Sequence, residues 1–371
     1  MTSPDLFDPF QLGPYRLKNR AVMSPMTRSR SPGAVPNRMN EAYYAQRAGA
    51  GLIIVESTAV TAQGLGWINS PGIFTADQIR GWRGVTEAVH AAGSRIFMQL
   101  WHAGRCSHVS VLPGGQSPIA PSVVPSRGRS NTLLGRVQHS PPRALELGEM
   151  PQLVEQYCRA AENALAAGFD GVEIHAANGY LLDQFLRDST NHRTDAYGGT
   201  PENRSRIVWE IARGVAKVCG RERVGLRVSP TNTHHDMSDS DPEALYLTLA
   251  TGLNDIGPVY LHVVEGATPP GAPQLPFDYD RLRRTFRGNY IANNGYTLER
   301  ARHALATGHA DLVAFGRLYV ANPDLVERLR RGAPLNPLRS EGLYDGDMHG
   351  YIDYPTLNPE ADLGVVRNLH A

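Results

Sequence analysis

Short apolar runs alternate with longer amphipathic stretches along this chain, a pattern that predicts repeated strand–helix units built on a parallel sheet. The spacing places eight strands, at Ala21–Met26, Leu52–Glu56, Ile96–Leu100, Gly171–His175, Val224–Val228, Val259–Val263, Tyr290–Ala292 and Leu312–Phe315, each followed by a helical stretch. These runs are rich in Val, Ile and Leu and do not alternate polar with apolar, as expected where both faces of a strand are covered. Eight such strands predict an α/β fold, a (β/α)8 TIM barrel. The helices carry matching signals. Between Asp77 and Ala92, residues Ile79, Trp82, Val85, Ala88 and Val89 recur at helical spacing and Gly93 offers a stop; Thr297 offers a cap for Leu298–Thr307, with Gly308 behind it.

Two segments exceed a minimal barrel. Residues 105–149 are rich in Pro, Ser, Gly and Arg and too long for an ordinary connection, so they predict a lid-like excursion after strand three. Residues 331–371 form a tail rich in Gly, Pro and Tyr, expected to cover one end of the barrel, as the residues before the first strand are expected to cap it. The whole chain, 1–371, is read as one domain, because α/β barrels exceed the usual domain length.

Composition narrows the function. With 37 Lys and Arg against 36 Asp and Glu, the net charge of +1 gives no field to draw nucleic acid or an anionic membrane, which favours a small-molecule partner. No apolar stretch approaches the roughly 18 residues of a membrane span, and the N-terminus lacks the pattern of a secretory leader. The three cysteines, Cys106, Cys158 and Cys219, are scattered and contain no CxxC pair, so a reducing cytoplasm is the simplest expectation. Monomer and homo-oligomer remain open.

In such a barrel the active site forms at the C-terminal ends of the strands. There stand His175, Asn178 and Tyr180: imidazole and amide to bind an oxyanion, phenol to donate a proton, or alternatively a strand-end histidine, a turn and a core aromatic. Arg227, inside the apolar run Val224–Val228, must either pair with a neighbour such as Glu173 or face an anionic ligand. Asn293, Asn294 and Gly295 after strand seven, with Gly316 and Arg317 after strand eight, fit a phosphate site or tight turns with a surface arginine. Gln99 and Thr27 offer polar groups at the same level. Trp67 and Trp101 fit an aromatic slot over a planar ligand, or simple packing. His234-His235-Asp236 predicts no metal site, since adjacent histidines point apart in an extended chain and no spaced third ligand is evident.

Several motifs in fixed order resemble the Old Yellow Enzyme family of FMN-dependent ene-reductases: Leu6-Phe7-Asp8-Pro9-Phe10, Lys18-Asn19-Arg20, Ser24-Pro25-Met26-Thr27-Arg28, Gln99 through Arg105, His175 through Leu186, Asn191 through Arg206, and Phe315-Gly316-Arg317. The resemblance implies non-covalent FMN and NADPH or NADH as reductant. By position it puts Pro25, Met26, Thr27 and the backbone of Ala59 on the flavin, Gln99 and Arg227 on its pyrimidine side, and Asn293, Asn294, Gly316 and Arg317 on its phosphate. It implies His175 and Asn178 as binders of the substrate oxygen and Tyr180 as proton donor, with Trp67, Trp101 and Tyr351 lining the substrate site. The implied substrate is an electron-poor alkene that takes hydride at its β carbon and a proton at its α carbon. Some bacterial members carry a second histidine at Asn178 and a tyrosine at Trp67, so substrate range does not carry over. A dienoyl-CoA reductase lacks support because no cysteine cluster is present; another FMN-barrel oxidoreductase or a non-catalytic flavin protein are the alternatives.

Overall fold

The computed structural model describes residues 3–268 and 274–358. Eight parallel strands form its centre: β1 (Ala21–Met23), β2 (Leu52–Ile54), β3 (Arg95–Trp101), β4 (Gly171–Ala176), β5 (Val224–Val228), β6 (Tyr260–Val264), β7 (Asn289–Asn293) and β8 (Leu312–Phe315). The ring closes where Val313 of β8 lies opposite Ala21 of β1, and every neighbouring pair is parallel, as the apolar runs predict.

Two strands end earlier than expected, for local reasons. After Met23 the Ser24 amide still bonds to the Phe315 carbonyl, but Pro25 has no N–H to continue the ladder. β2 leaves the sheet after Ile54 and the chain returns beside β3 as Thr58–Ala59, opposite Leu100 and Trp101.

Alternation along the strands divides the core. Val22, Leu52, Ile54, Phe97, Tyr260, Ile291, Leu312 and Ala314 fill the barrel, joined by Leu12 and Leu17 from the hairpin Phe10–Leu12/Tyr15–Leu17, which plugs the end opposite the site. Ile53, Ile96, Val172, Ile174, Leu226 and Val263 belong to the layer shared with the helices. Each such side chain contributes roughly 1.5–3 kcal/mol when fully buried. Thr75 caps Ala76–Ala91, accepting from the Gln78 amide while the Gln78 side chain returns to the Thr75 amide; Thr297 caps Leu298–Ala306.

The excursion is ordered. It contains an antiparallel hairpin, Arg129–Thr132 with Gly135–Gln138, and a short parallel pairing of Ile119–Ala120 with Arg143–Ala144. Asn131 accepts from the Ile68 amide, and the Arg127 amide donates to Asp236, so the hairpin roofs the loops that follow β2 and β5. The tail is described through residue 358. No helix among the described residues is long and apolar enough to cross a membrane.

Candidate active site

Register brings the polar residues of the strands to one level. His175 pairs with Arg227 across β4 and β5, Arg227 with His262 across β5 and β6, and Glu173 with Gln99 across β4 and β3. Glu173 is the hub: it accepts from Gln99 Nε2 and contacts His262 Nδ1, both at 2.8 Å, while Ser57 Oγ donates to Gln99 Oε1. Burial alone would push this carboxyl up, but His262 and the Arg227 charge outweigh it and hold it below its usual range. Glu173 is therefore occupied. Arg227 instead donates to Ser24 Oγ and Asn293 Oδ1, and its Nε is buried with no partner among the described residues. Arg227 thus pairs with a serine and an asparagine and not directly with Glu173, and a buried unpaired N–H is costly unless something accepts from it.

The turn after β4 carries the second group. Asn178 adopts φ 59° and Gly179 φ 80°, left-handed conformations that suit an Asn-Gly pair. The Asn178 amide donates to Ser229 Oγ, and its Oδ1 accepts from Asn232 Nδ2 at 2.8 Å, leaving the Asn178 Nδ2 donors for the site. Below, Asp183 accepts from the Gly179 amide, Arg187 Nε and the Tyr246 hydroxyl, while Gln184 Nε2 donates to the Gly179 carbonyl. Asp183 and Gln184 explain the motif that follows Tyr180: they brace the turn. The charged stretch from Arg193 to Arg206 braces it from outside, through Arg193–Asp195 and Arg204–Asp239.

Burial, reinforced by Arg227, lowers the His175 pKa well below its ordinary value, so the imidazole is neutral; its Nδ1 is buried without a partner among the described residues. Tyr180 is held the other way. Burial, then Cys106 and Tyr344, raise its phenol well above the usual value, which keeps the proton on it. Its ring meets Trp67 and Trp101 edge-on at 5.8 and 5.4 Å, and those two indoles stack at 5.3 Å.

Two expected contacts are corrected. The Ala59 amide is consumed by the Pro71 carbonyl and its own carbonyl accepts from Ile73, so its backbone does not face the site. Ser57, linked to Gln99, has no main-chain partner among the described residues, so its backbone is the free one at the end of β2. Tyr351 is fully buried: its ring stacks on Tyr43 at 4.1 Å beneath Arg28 and Arg30, and its hydroxyl accepts from Asn40. It anchors the tail. The tail tyrosine whose charge is felt at the Tyr180 phenol is instead Tyr344, which is exposed.

The remaining rim closes the ring of contacts. Pro25 is buried, Met26 and Thr27 are half-buried at the end of β1, and Met26 Sδ borders the open side of Gly316. Asn293 Nδ2 donates to the Ala314 carbonyl, joining β7 to β8, and Asn294 (φ 101°) ties its side chain to the carbonyls of Glu265 and Ala267. Arg317 is exposed at the end of β8. A further departure concerns His234-His235-Asp236: His235 and Asp236 adopt φ 60°, so the chain there is not extended and His235 turns inward toward Tyr180, their rings 5.5 Å apart.

Comparison with known proteins agrees with this geometry. Residues 5–336 match the model of the NADH:flavin oxidoreductase / NADH oxidase family. The chain is 43% identical to 12-oxophytodienoate reductase 7 of Oryza sativa subsp. japonica, over 95% of this chain and 94% of that one. Among solved structures it is similar to morphinone reductase in complex with tetrahydroNAD (TM-score 0.91, 46% identity, 96% and 99% of the two chains). It is also similar to the Old Yellow Enzyme homologue from Zymomonas mobilis (TM-score 0.92, 43% identity, 95% and 100%).

Proposed function

The chain belongs to the NADH:flavin oxidoreductase / NADH oxidase family, the Old Yellow Enzymes, and from that premise we propose that it reduces activated carbon–carbon double bonds of α,β-unsaturated carbonyls, maleimides and nitroalkenes. The residues present fit FMN. The orphaned Arg227 Nε and the Gln99 amide suit its pyrimidine edge, Pro25, Met26, Thr27 and the Ser57 backbone its ring, and Asn293, Asn294, Gly316 and Arg317 its phosphate. FMN, when bound, supplies the hydride chemistry, drawn from NADPH or NADH.

The chain's own residues do the rest. Neutral His175 and the Asn178 Nδ2 group donate hydrogen bonds to the oxygen of the electron-withdrawing group, polarising the alkene. Asn232 holds the Asn178 amide in the orientation that presents donors. Tyr180 delivers a proton to the α carbon, and Trp67 and Trp101 exclude water around it. The observation that carries this reading is the placement of a protonated, buried phenol beside a neutral imidazole at the mouth of the barrel. Three unpaired cysteines favour a reducing, cytoplasmic location, and barrel, excursion and tail are read as one catalytic domain.

Tyr180→Phe tests the assignment. Purified variant and parent are both expected to be yellow and to bleach with NADPH without oxygen. Turnover of 2-cyclohexenone falls about 10²–10⁴-fold in the variant, and that of nitroalkenes falls less, because solvent can protonate a nitronate. Equal cyclohexenone turnover in variant and parent refutes the proton-donor role; a colourless parent that cannot be reloaded refutes FMN.

A further inference from the structure

Behind Tyr180, residues from three distant segments converge. Cys106 follows β3, His139 lies in the excursion, and His235 lies in the loop after β5; one ligand atom from each lies within 4.8 Å of the others. Cys106 is fully buried and His139 is 5% exposed. Nε2 of His139 and Nε2 of His235 are both buried and have no hydrogen-bond partner among the described residues. Two neighbouring imidazoles that each leave a buried nitrogen unsatisfied carry a cost in free energy that a further bound group would relieve. We propose that Cys106, His139 and His235 form a binding site for a thiophilic divalent cation, zinc above all.

The donor set is the one zinc selects, one thiolate and two imidazoles, with a fourth position left for water. Atoms no more than 4.8 Å apart place a central ion at most about 2.8 Å from each, against about 2.0–2.3 Å in zinc sites, so a contraction of at most roughly half an ångström or a little more per ligand completes the coordination. The supporting contacts are present. Ser126 Oγ holds His139 Nδ1 at 3.0 Å, which fixes the ring with Nε2 directed elsewhere. Gly128 lies against both imidazoles, where a Cβ would meet His139 Cε1 at 2.5 Å and His235 Nδ1 at 3.0 Å.

The Cys106 thiol donates to the Gly179 carbonyl and accepts weakly from Gln184. On metal binding its proton passes to solvent and sulfur bonds to the ion. Arg105, which donates to the His235 carbonyl, opposes the incoming charge; the new thiolate and nearby Asp236 offset it. The sequence shows no third ligand beside His235 because the other two residues of the cluster stand 129 and 96 positions upstream, joined only by the fold.

The test uses the tag-free holoenzyme, stripped with EDTA, loaded with zinc chloride and desalted. One zinc per chain is expected by elemental analysis, with X-ray absorption showing one sulfur and two nitrogen neighbours from the protein. Cys106→Ser and His139→Gln should each weaken zinc retention by more than the roughly 10–100-fold that loss of a supporting hydrogen bond costs, with flavin content reporting that each variant is folded. His139→Gln lies in the excursion and keeps the barrel intact if Cys106→Ser does not fold. Retention of no zinc by the parent overturns the site, and so does zinc retained equally by parent and both variants.

Discussion

Asp183 accepts three hydrogen bonds beneath the Asn178-Gly179 turn, and its ion pair with Arg187 is nearly sealed, with side-chain exposures of 0% and 2%. Asp183→Asn keeps the volume, removes the charge and leaves one acceptor oxygen in place of two, so its NH2 group must face either the Gly179 N–H or the Arg187 N–H beside a buried guanidinium that also donates to the Ser229 carbonyl. Breaking a buried pair on one side costs about 3–5 kcal/mol, a large share of the about 5–15 kcal/mol that holds a typical fold. Urea unfolding followed by tryptophan fluorescence, with FMN at one fixed concentration, should show the midpoint falling by about 1–2 M with little change in slope. The combined Asp183→Leu, Arg187→Met variant, which replaces both charges by apolar groups, should lose less than the single variant. A cost below about 1 kcal/mol for Asp183→Asn, the range of an exposed pair, would refute the view that this pair braces the site.

Gly179→Ala meets both a φ of 80° and close contacts with His234 O and His235 Cβ at 2.8 and 2.9 Å; it should destabilise by about 1–3 kcal/mol and raise the KM for cyclohexenone while FMN content stays at the parent level. An unchanged KM counts against the turn as a substrate anchor. His309, hydrogen-bonded to Glu265 and Asp280, is raised from 6.5 to about 9 in the folded state. Its contribution is fully present below pH 6.5 and disappears as pH rises through about 9, worth at most about 3 kcal/mol before screening. The melting temperature of the parent should therefore exceed that of His309→Gln near pH 6 and converge with it near pH 10; a constant gap disproves the linkage.

The barrel was legible because a strand buried on both faces must be apolar at successive positions, and Val224–Val228 and Leu312–Phe315 end where that run ends. Arg227 was legible for the opposite reason, as a charge no apolar strand tolerates without a partner. What the sequence hid depends on direction. Ala59 and Ser57 stand two residues apart after the chain leaves β2, and only the return of residues 71–73 alongside Ala59 decides which backbone is spent. Tyr344 and Tyr351 are equivalent as letters, yet the Tyr43 ring and two arginines trap one and leave the other free. The Glu173–His262 contact joins strands two apart in the barrel, so no local spacing announces it.

The excursion is stitched to its surroundings at separate points: the Ile68 amide to the Asn131 carbonyl, the Arg127 amide to Asp236, Gln63 Nε2 to the Ser117 carbonyl and Arg193 to the Pro121 carbonyl. The last three seams use a side chain of the surrounding loops; the first is main chain to main chain and indifferent to residue type. As a cassette exchanged between homologous barrels, this segment would carry its own hairpin and ask the recipient for the side chains at positions 63, 193 and 236. Diversification of the roof is thereby decoupled from the barrel beneath, and a library built on residues 126–139 would vary what enters while leaving the bracing of the turn untouched.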